Sequence, residues 1–491
     1  MATRLRGLSA SLDEERQRQR RSAGARVQSI RAAASSAWNS AAKACGKGPQ
    51  QKLNKDLCEA AAYGDADLVE SLVAEGADPS HVSRQRAYAG LTALHIAAEA
   101  GNVGVCEWLV NQGAQVNAES RDARHYTPSM LASLAGHCDI CELFLANGAQ
   151  WKPQEANICL RAAAKALSLP MCTFLLETAG ASAASSDANG TTPLHLVASY
   201  DDVRTSRIMS LATRRAQRDT ERVTLAREGA KRRKLAKMLL AAGADANAAD
   251  KDGCTPLYCC ASHASLAAVL INAGADVNVH VGQDQETPLL KAAGSAASVK
   301  LLLTKGADPN ARSYYGVVPL HRAAASQSRK AVSFLLQYGA KPNLKESMGR
   351  TALHYAAEEL RRTNCATLLQ HKKTNIDARD NEGNTALMVA VLQYRVSEKA
   401  NKVLATGRFL LRRGADINIT NHRGLDLEGL TEAYGIPIFD RLVDTTESSL
   451  PDEDGRSEFD DHSYADSASV ISLSELAERR LGRVKASKHR G

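Results

Sequence analysis

Apolar and polar positions along this chain fall into blocks that repeat. Short apolar blocks made largely of small residues recur as TALHIAA (92–98), TTPLHLVA (191–198), CTPLYCCA (254–261), ETPLLKAA (286–293), VPLHRAA (318–324) and TALHYAA (351–357). Each is followed by a second apolar stretch at helical spacing. The second stretch ends in a turn string: EGADP (75–79), NQGAQVN (111–117), AAGADAN (241–247), NAGADVN (272–278), TKGADPN (304–310), YGAKPN (338–343) or RGADIN (413–418). The glycines at 243, 274, 306 and 339 lie 31, 32 and 33 residues apart, which sets a module of about 33 residues. The pattern predicts pairs of short helices, repeated many times.

The physical logic of one module can be read directly. Thr287 is placed to cap a helix, and Pro288 takes the first helical position, where its missing N–H costs nothing. The helix Leu289–Ala293 is short and small-faced, so neighbours can approach closely. A second helix carries Val299, Leu302 and Leu303 at a spacing suited to burial. Gly306 ends it in the left-handed conformation, which costs a residue with a Cβ roughly 1 kcal/mol. A single module has faces it cannot bury, so stacked modules must bury one another.

The TPLHxAA…LLxxGADxN pattern resembles the ankyrin repeat family. The resemblance covers roughly four-fifths of the chain and implies an all-α solenoid of about ten helix-turn-helix modules joined by short hairpin loops. Regular modules lie at 87–119, 187–249, 250–281, 283–312, 313–345, 346–378 and 380–420. Weaker ones lie at 53–79, 121–152 and 154–183, and a closing unit at about 422–442. Some positions depart from the pattern. Ser129 and Met130 stand where Leu and His are usual, residues 157–163 have almost lost the motif, and Lys373 stands where Gly ends a helix.

The domain expectations follow. Residues 1–52 form a basic arm, helical or disordered, with a helix starting at Ser11 and Trp38 as its one large anchor. Residues 53–183 hold the N-terminal repeats. Residues 184–249 hold a repeat interrupted by the basic insertion 204–234, which lacks Pro and reads as a long exposed helix or a helix extension. Residues 250–442 hold the regular repeats and a cap. Residues 443–491 form a disordered tail, acidic and then basic, with an amphipathic helix over 469–484 as a docking candidate. The acidic stretch Asp444–Asp466 is expected to fold back over a basic surface.

Composition narrows the class. The 491 residues are 44% hydrophobic and 24% charged, a globular profile, and aromatics are only 4%. No apolar run approaches the roughly 18 residues a membrane span needs, and no hydrophobic signal segment is apparent among the opening charges. Eleven Cys without such a signal suggest reduced thiols. Cys58, Cys106, Cys172, Cys259 and Cys260 lie inside apolar patterns. The net charge of +8 sits in the appendages. The expected location is the cytoplasm, with the nucleus as the alternative.

Candidate chemistry is sparse. His137-Cys138-Asp139-Ile140-Cys141 contains a CxxC, but no second ligand pair completes a tetrahedral site. His95, His195, His321 and His354 occupy one equivalent position in four modules, which suits a structural hydrogen bond rather than catalysis. No catalytic residue, metal or cofactor is expected. The resemblance implies a protein partner bound on a concave face formed by the hairpin tips and the solvent side of the first helices. The variable positions there include Tyr88, Tyr126, Tyr200, Lys251, Tyr314, Tyr315, Arg350 and Glu358. Tyr and Arg are the residue types that dominate interface energies. The Tyr314–Tyr315 pair together with Arg350 is the leading patch. Asn278 and Asn418 match the context that asparaginyl hydroxylases favour in this family. The run Lys231-Arg232-Arg233-Lys234 reads as a solvated helix face, a nuclear-import signal or an acidic-partner site. Nucleic acid is the weaker expectation, membrane insertion is not expected, and a monomer is.

Overall fold

The computed structural model describes residues 48–85, 87–199, 215–395 and 400–443. Tyr200, the first part of the insertion, the arm before residue 48 and the tail after Val443 lie outside the described residues. The chain divides into two compact units after Ser185. Among the described residues there are 22 α-helices in consecutive pairs, and the only bridges join Val281 to Glu286 and Arg379 to Thr385.

Unit 1 pairs α1 (Gly48–Tyr63) with α2 (Ala66–Ala74), α3 (Ala93–Ala100) with α4 (Val103–Asn111), α5 (Pro128–Ala135) with α6 (Cys138–Ala146), and α7 (Pro153–Lys165) with α8 (Leu169–Glu177). Unit 2 pairs α9 (Pro193–Ala198) with α10 (Arg215–Ala241), α11 (Pro256–Cys259) with α12 (Ala264–Asn272), and α13 (Pro288–Ala292) with α14 (Ala296–Thr304). It continues with α15 (Pro319–Ala325) and α16 (Arg329–Gln337), α17 (Ala352–Glu358) and α18 (Arg362–Gln370), and α19 (Ala386–Leu392) and α20 (Ala400–Arg412). The closing pair is α21 (Leu427–Ala433) and α22 (Phe439–Val443). Within each unit, each odd-numbered helix packs on the next odd-numbered helix, and each even-numbered helix on the next even-numbered one. Each unit is therefore two layers of helices around one continuous seam.

Small residues allow the close approach. Ala97, Ala98, Ala132, Ala323, Ala324, Ala356 and Ala357 are fully buried, as are second-helix anchors such as Leu109, Leu302, Leu335 and Leu368. The expected caps form. Thr287 Oγ1 accepts from Leu290 N, and Thr127, Thr192, Thr255 and Thr385 do the same in their modules. Gly306 closes α14 with φ of 88°. Where Lys373 replaces the glycine, the turn differs: α18 stops at Gln370, His371 is extended, and Thr374 Oγ1 donates to the Leu368 carbonyl.

Adjacent turns are tied by asparagines. Asn278 Nδ2 donates to Gly306 O at 3.1 Å, and its Oδ1 accepts from Asp308 N at 2.9 Å. Asn117, Asn247, Asn310 and Asn343 bridge to the following module in the same way. Asn418 bonds within its own turn, to Asp416.

Three sequence expectations are refined. The first helix begins at Gly48, inside the stretch assigned to the arm. The worn module at 154–183 keeps a full helix pair, with α7 starting at Pro153 without a side-chain cap. Residues 215–234 of the insertion are a forward extension of the module's own second helix, so α10 runs 27 residues, about 40 Å at 1.5 Å per residue.

Candidate protein-interaction face

The repeated histidines bind the first-helix layer together. In the α3 module, Thr92 N donates to His95 Nδ1, which leaves the proton on Nε2, and Nε2 donates to Tyr126 O at 2.9 Å. His195 reaches Cys254 O at 2.9 Å and His354 reaches Asn384 O at 3.1 Å, each just before the next module's capping Thr. His321 reaches Leu344 O at 2.9 Å, deeper in the next hairpin. Burial lowers the pKa of His95 and His354 and brings that of His321 down to about 4. His95, His321 and His354 are neutral structural donors.

The hairpin tips of unit 2 form a hydrogen-bonded ladder. Lys251 N donates to Asn189 O, Tyr314 N to Asp284 O at 2.7 Å, Ser347 N to Tyr315 O at 2.9 Å, Asn381 N to Met348 O, and His422 N to Glu382 O. Tyr314 and Tyr315 are therefore held from both sides by backbone bonds. Their rings meet edge to face at 5.3 Å between centroids. They nonetheless remain 73% and 55% exposed, and Met348 on the next tip is 53% exposed. Fixed backbone beneath exposed aromatic area lowers the ordering cost of binding. Lys251 is exposed on the same row of tips.

Other expected contact residues are already engaged. Arg350, expected beside the tyrosine pair, is held in an internal ion pair. Its Nη1 donates to both oxygens of Glu358 at 3.0 Å, and its Nε lies 4.0 Å from the buried Asp380 carboxylate. Glu358 is correspondingly the acceptor of an internal ion pair. Tyr88 and Tyr126 are half-buried against Cys58, Leu91, Ile96 and Leu131, so they are mainly packing residues of unit 1. The basic run is not a free cationic peptide. It is helical, Arg232 is buried, and Arg232 Nη1 donates to the carbonyls of Val197 and Ser199. Arg233 donates to Ser265 Oγ, while Lys231 and Lys234 are exposed.

Sequence reasoning missed a polar cluster on the first helices. Tyr258 stands where other modules carry the capping His. Its hydroxyl donates to Glu286 at 2.8 Å, Lys291 Nζ lies 4.4 Å from the ring centroid, and Arg322 pairs with the same Glu286. Burial, reinforced by the Glu286 carboxylate, raises the pKa of the Tyr258 phenol. The signal was the exchange of TPLH for TPLY. Tyr355 likewise stacks on His321 at 5.2 Å.

Among the described residues the CxxC belongs to no group of three or more candidate metal ligands. Cys141 is buried on the packed face of α6 and Cys138 is only partly exposed. Burial raises both thiol pKa values, which disfavours the thiolate a metal needs. Burial likewise pushes Cys106, Cys159, Cys172 and Cys365 up to about 12. These cysteines act as small hydrophobes. No helix among the described residues is long and apolar enough to cross a membrane.

The model of the family described as ankyrin repeats (3 copies) matches residues 57–155, 224–313 and 320–421, more than half of the chain. The chain belongs to the ankyrin-repeat family, and its repeats are a protein–protein interaction module. Curated relatives include a probable E3 ubiquitin-protein ligase, XBOS31, of Oryza sativa, 35% identical over 112 residues, 22% of this chain and 24% of the relative. Ankyrin repeat and SOCS box protein 16 of Homo sapiens is 40% identical over 93 residues, 18% of this chain and 20% of that protein. Potassium channel AKT1 of Arabidopsis thaliana is 40% identical over 87 residues, 18% of this chain and 10% of the channel. The similarity thus spans a quarter or less of each of these relatives, and it is confined to a few repeats.

Proposed function

We propose that this protein is a non-enzymatic adaptor or scaffold that binds a protein partner along the hairpin tips and first helices of unit 2. The observation that carries this reading is the Tyr314–Tyr315 pair: exposed, in ring contact, and fixed by backbone bonds to the tips on either side. Large aromatic side chains on a preorganised surface are typical anchors of protein interfaces. Met348 and Lys251 extend the same row.

The alternative, a nuclear regulator using the basic insertion as an import or nucleic-acid signal, is the weaker reading. Arg232 is committed to the interior, and an import peptide must be read with its cations free. The test is to replace Tyr314 and Tyr315 with Ala in the full chain and measure the affinity of a captured partner alongside thermal unfolding. Loss of affinity with unchanged unfolding supports the reading. Unchanged affinity contradicts it.

A further inference from the structure

The second-helix layers of the two units carry opposite charge. In unit 1 the helices α2, α4, α6 and α8 contain Asp67, Glu70, Glu107, Asp139, Glu142 and Glu177, and no Lys or Arg. In unit 2 the closing α22 adds one of each sign, Asp440 and Arg441, and the helices α12, α14, α16, α18 and α20 contain no Asp or Glu. Their ionised residues are Lys300, Arg329, Lys330, Arg362, Lys402, Arg408 and Arg412. The adjoining α10 adds exposed Lys231, Lys234 and Lys237; Glu228 is the one acid of its last four turns and pairs with Arg232 at 3.0 Å. Lys300, Arg329, Lys330 and Lys402 are exposed.

Ion pairing within the fold does not account for this layer, although Lys300 Nζ lies 5.5 Å from the centroid of the Phe334 ring. Arg329 and Lys330 occupy the first turn of α16, where the helix dipole disfavours cations by about 0.3–1 kcal/mol each. Among the described residues, no acidic side chain pairs with Lys300, Arg329 or Lys330. The nearby turn acids Asp276 and Asp308 accept amides of their own turns.

We infer that the acidic segment 444–466 of this same chain lies across the basic second-helix layer of unit 2. Three observations select it. It carries nine acids and one Arg. It leaves the fold at α22, which packs on α20 within that layer, with Arg408 Nε donating to Arg441 O at 3.1 Å. Its 23 residues reach about 75 Å when extended, whereas six helices at 8–10 Å spacing span about 50 Å. The acidic layer of unit 1 repels the segment, so its sign directs it to unit 2. Residues 1–47, with ten Arg or Lys and three acids, are opposite in sign to the acidic layer of unit 1. Tethering supplies an effective concentration in the millimolar range, so weak ion pairs suffice. The segment then screens this face from other polyanions and leaves the hairpin tips free.

Zero-length carbodiimide cross-linking of the full chain, mapped by mass spectrometry, tests this directly. The expected links join carboxylates of 444–466 to Lys300, Lys330 and Lys402 within the monomer. They disappear in about 1 M salt, where the Debye length is about 3 Å. Absent links, links in equal yield to Lys55, Lys152 and Lys165, or links found only between two copies overturn the inference. A second full-chain variant replaces the nine acids with Asn or Gln. Its affinity for a single-stranded oligonucleotide probe at low salt should rise about tenfold, and no change contradicts the screening role.

Discussion

The Nε2 of His321 donates a hydrogen bond to the Leu344 carbonyl of the next module, 2.9 Å away, while its Nδ1 accepts from Val318 N. One neutral ring thus closes its own helix start and joins two modules. The unfolded chain binds a proton at such a ring near pH 6.5, whereas buried His321 does so only near about 4. Between those values the unfolded state holds more protons. Stability is therefore full above about pH 6.5 and is lost as pH falls toward about 4. Urea unfolding at pH 7 and pH 4.5 should show the drop, and His321→Ala should cost about 2–3 kcal/mol at pH 7. Equal stability at both pH values contradicts the assignment.

Val318 is the one N-cap of these four histidine modules without a side-chain hydroxyl. Thr92, Thr192 and Thr351 each place a hydroxyl 2.8–2.9 Å from the equivalent His Nδ1. Val318→Thr is close to isosteric and adds the missing cap, so it should stabilise unit 2 by about 0.5–1 kcal/mol. A buried Val→Thr change without a waiting partner destabilises instead, and a chemical-denaturation midpoint separates the two outcomes.

Asn278 and Asn418 occupy the same place in their modules but not the same bonds. Asn278 spans to the next turn through both ends of its amide, whereas Asn418 bonds only Asp416. Asn278→Ala should cost about 1–2 kcal/mol and Asn418→Ala no more than about 0.5. Equal losses would remove the inter-module role of the asparagine ladder. If a hydroxylase modifies this protein, Asn418 is the site whose release disturbs fewer contacts.

Arg350 braces Glu358 and the buried Asp380. Arg350→Met should therefore lower stability by about 1 kcal/mol, a modest figure because the pair is partly exposed. Glu358→Gln should cost less, because Arg350 keeps Asp380. A partner-affinity loss in Arg350→Met larger than its stability loss would return this residue to the interface.

The local code of the repeat was legible because each instruction lies within a few residues: Thr287-Pro288 starts a helix and Gly306 ends one. The continuity of α10 followed from the absence of Pro. Arg232 was misread although it shares helical spacing with Leu235 and Leu239, which marks the buried stripe. The roles of Arg350 and Glu286 were not legible, because their partners Asp380, Tyr258 and Arg322 come from neighbouring modules. Tyr88 and Tyr126 fell at hairpin positions like those of Tyr314 and Tyr315, and only packing against Leu91 and Leu131 separates the two kinds.

The central claim is that unit 2 binds a protein through its aromatic hairpin tips. The most direct measurement places a photo-cross-linking residue at position 315, and separately at exposed Gln337 in the second-helix layer, in the native cell. The account predicts a protein adduct at 315 that is absent at 337. The adducted partner, once purified, should bind Tyr314→Ala/Tyr315→Ala about 2 kcal/mol more weakly, roughly 30-fold, with unfolding unchanged. Identical adducts from both positions, or an affinity indifferent to the two tyrosines, would contradict it.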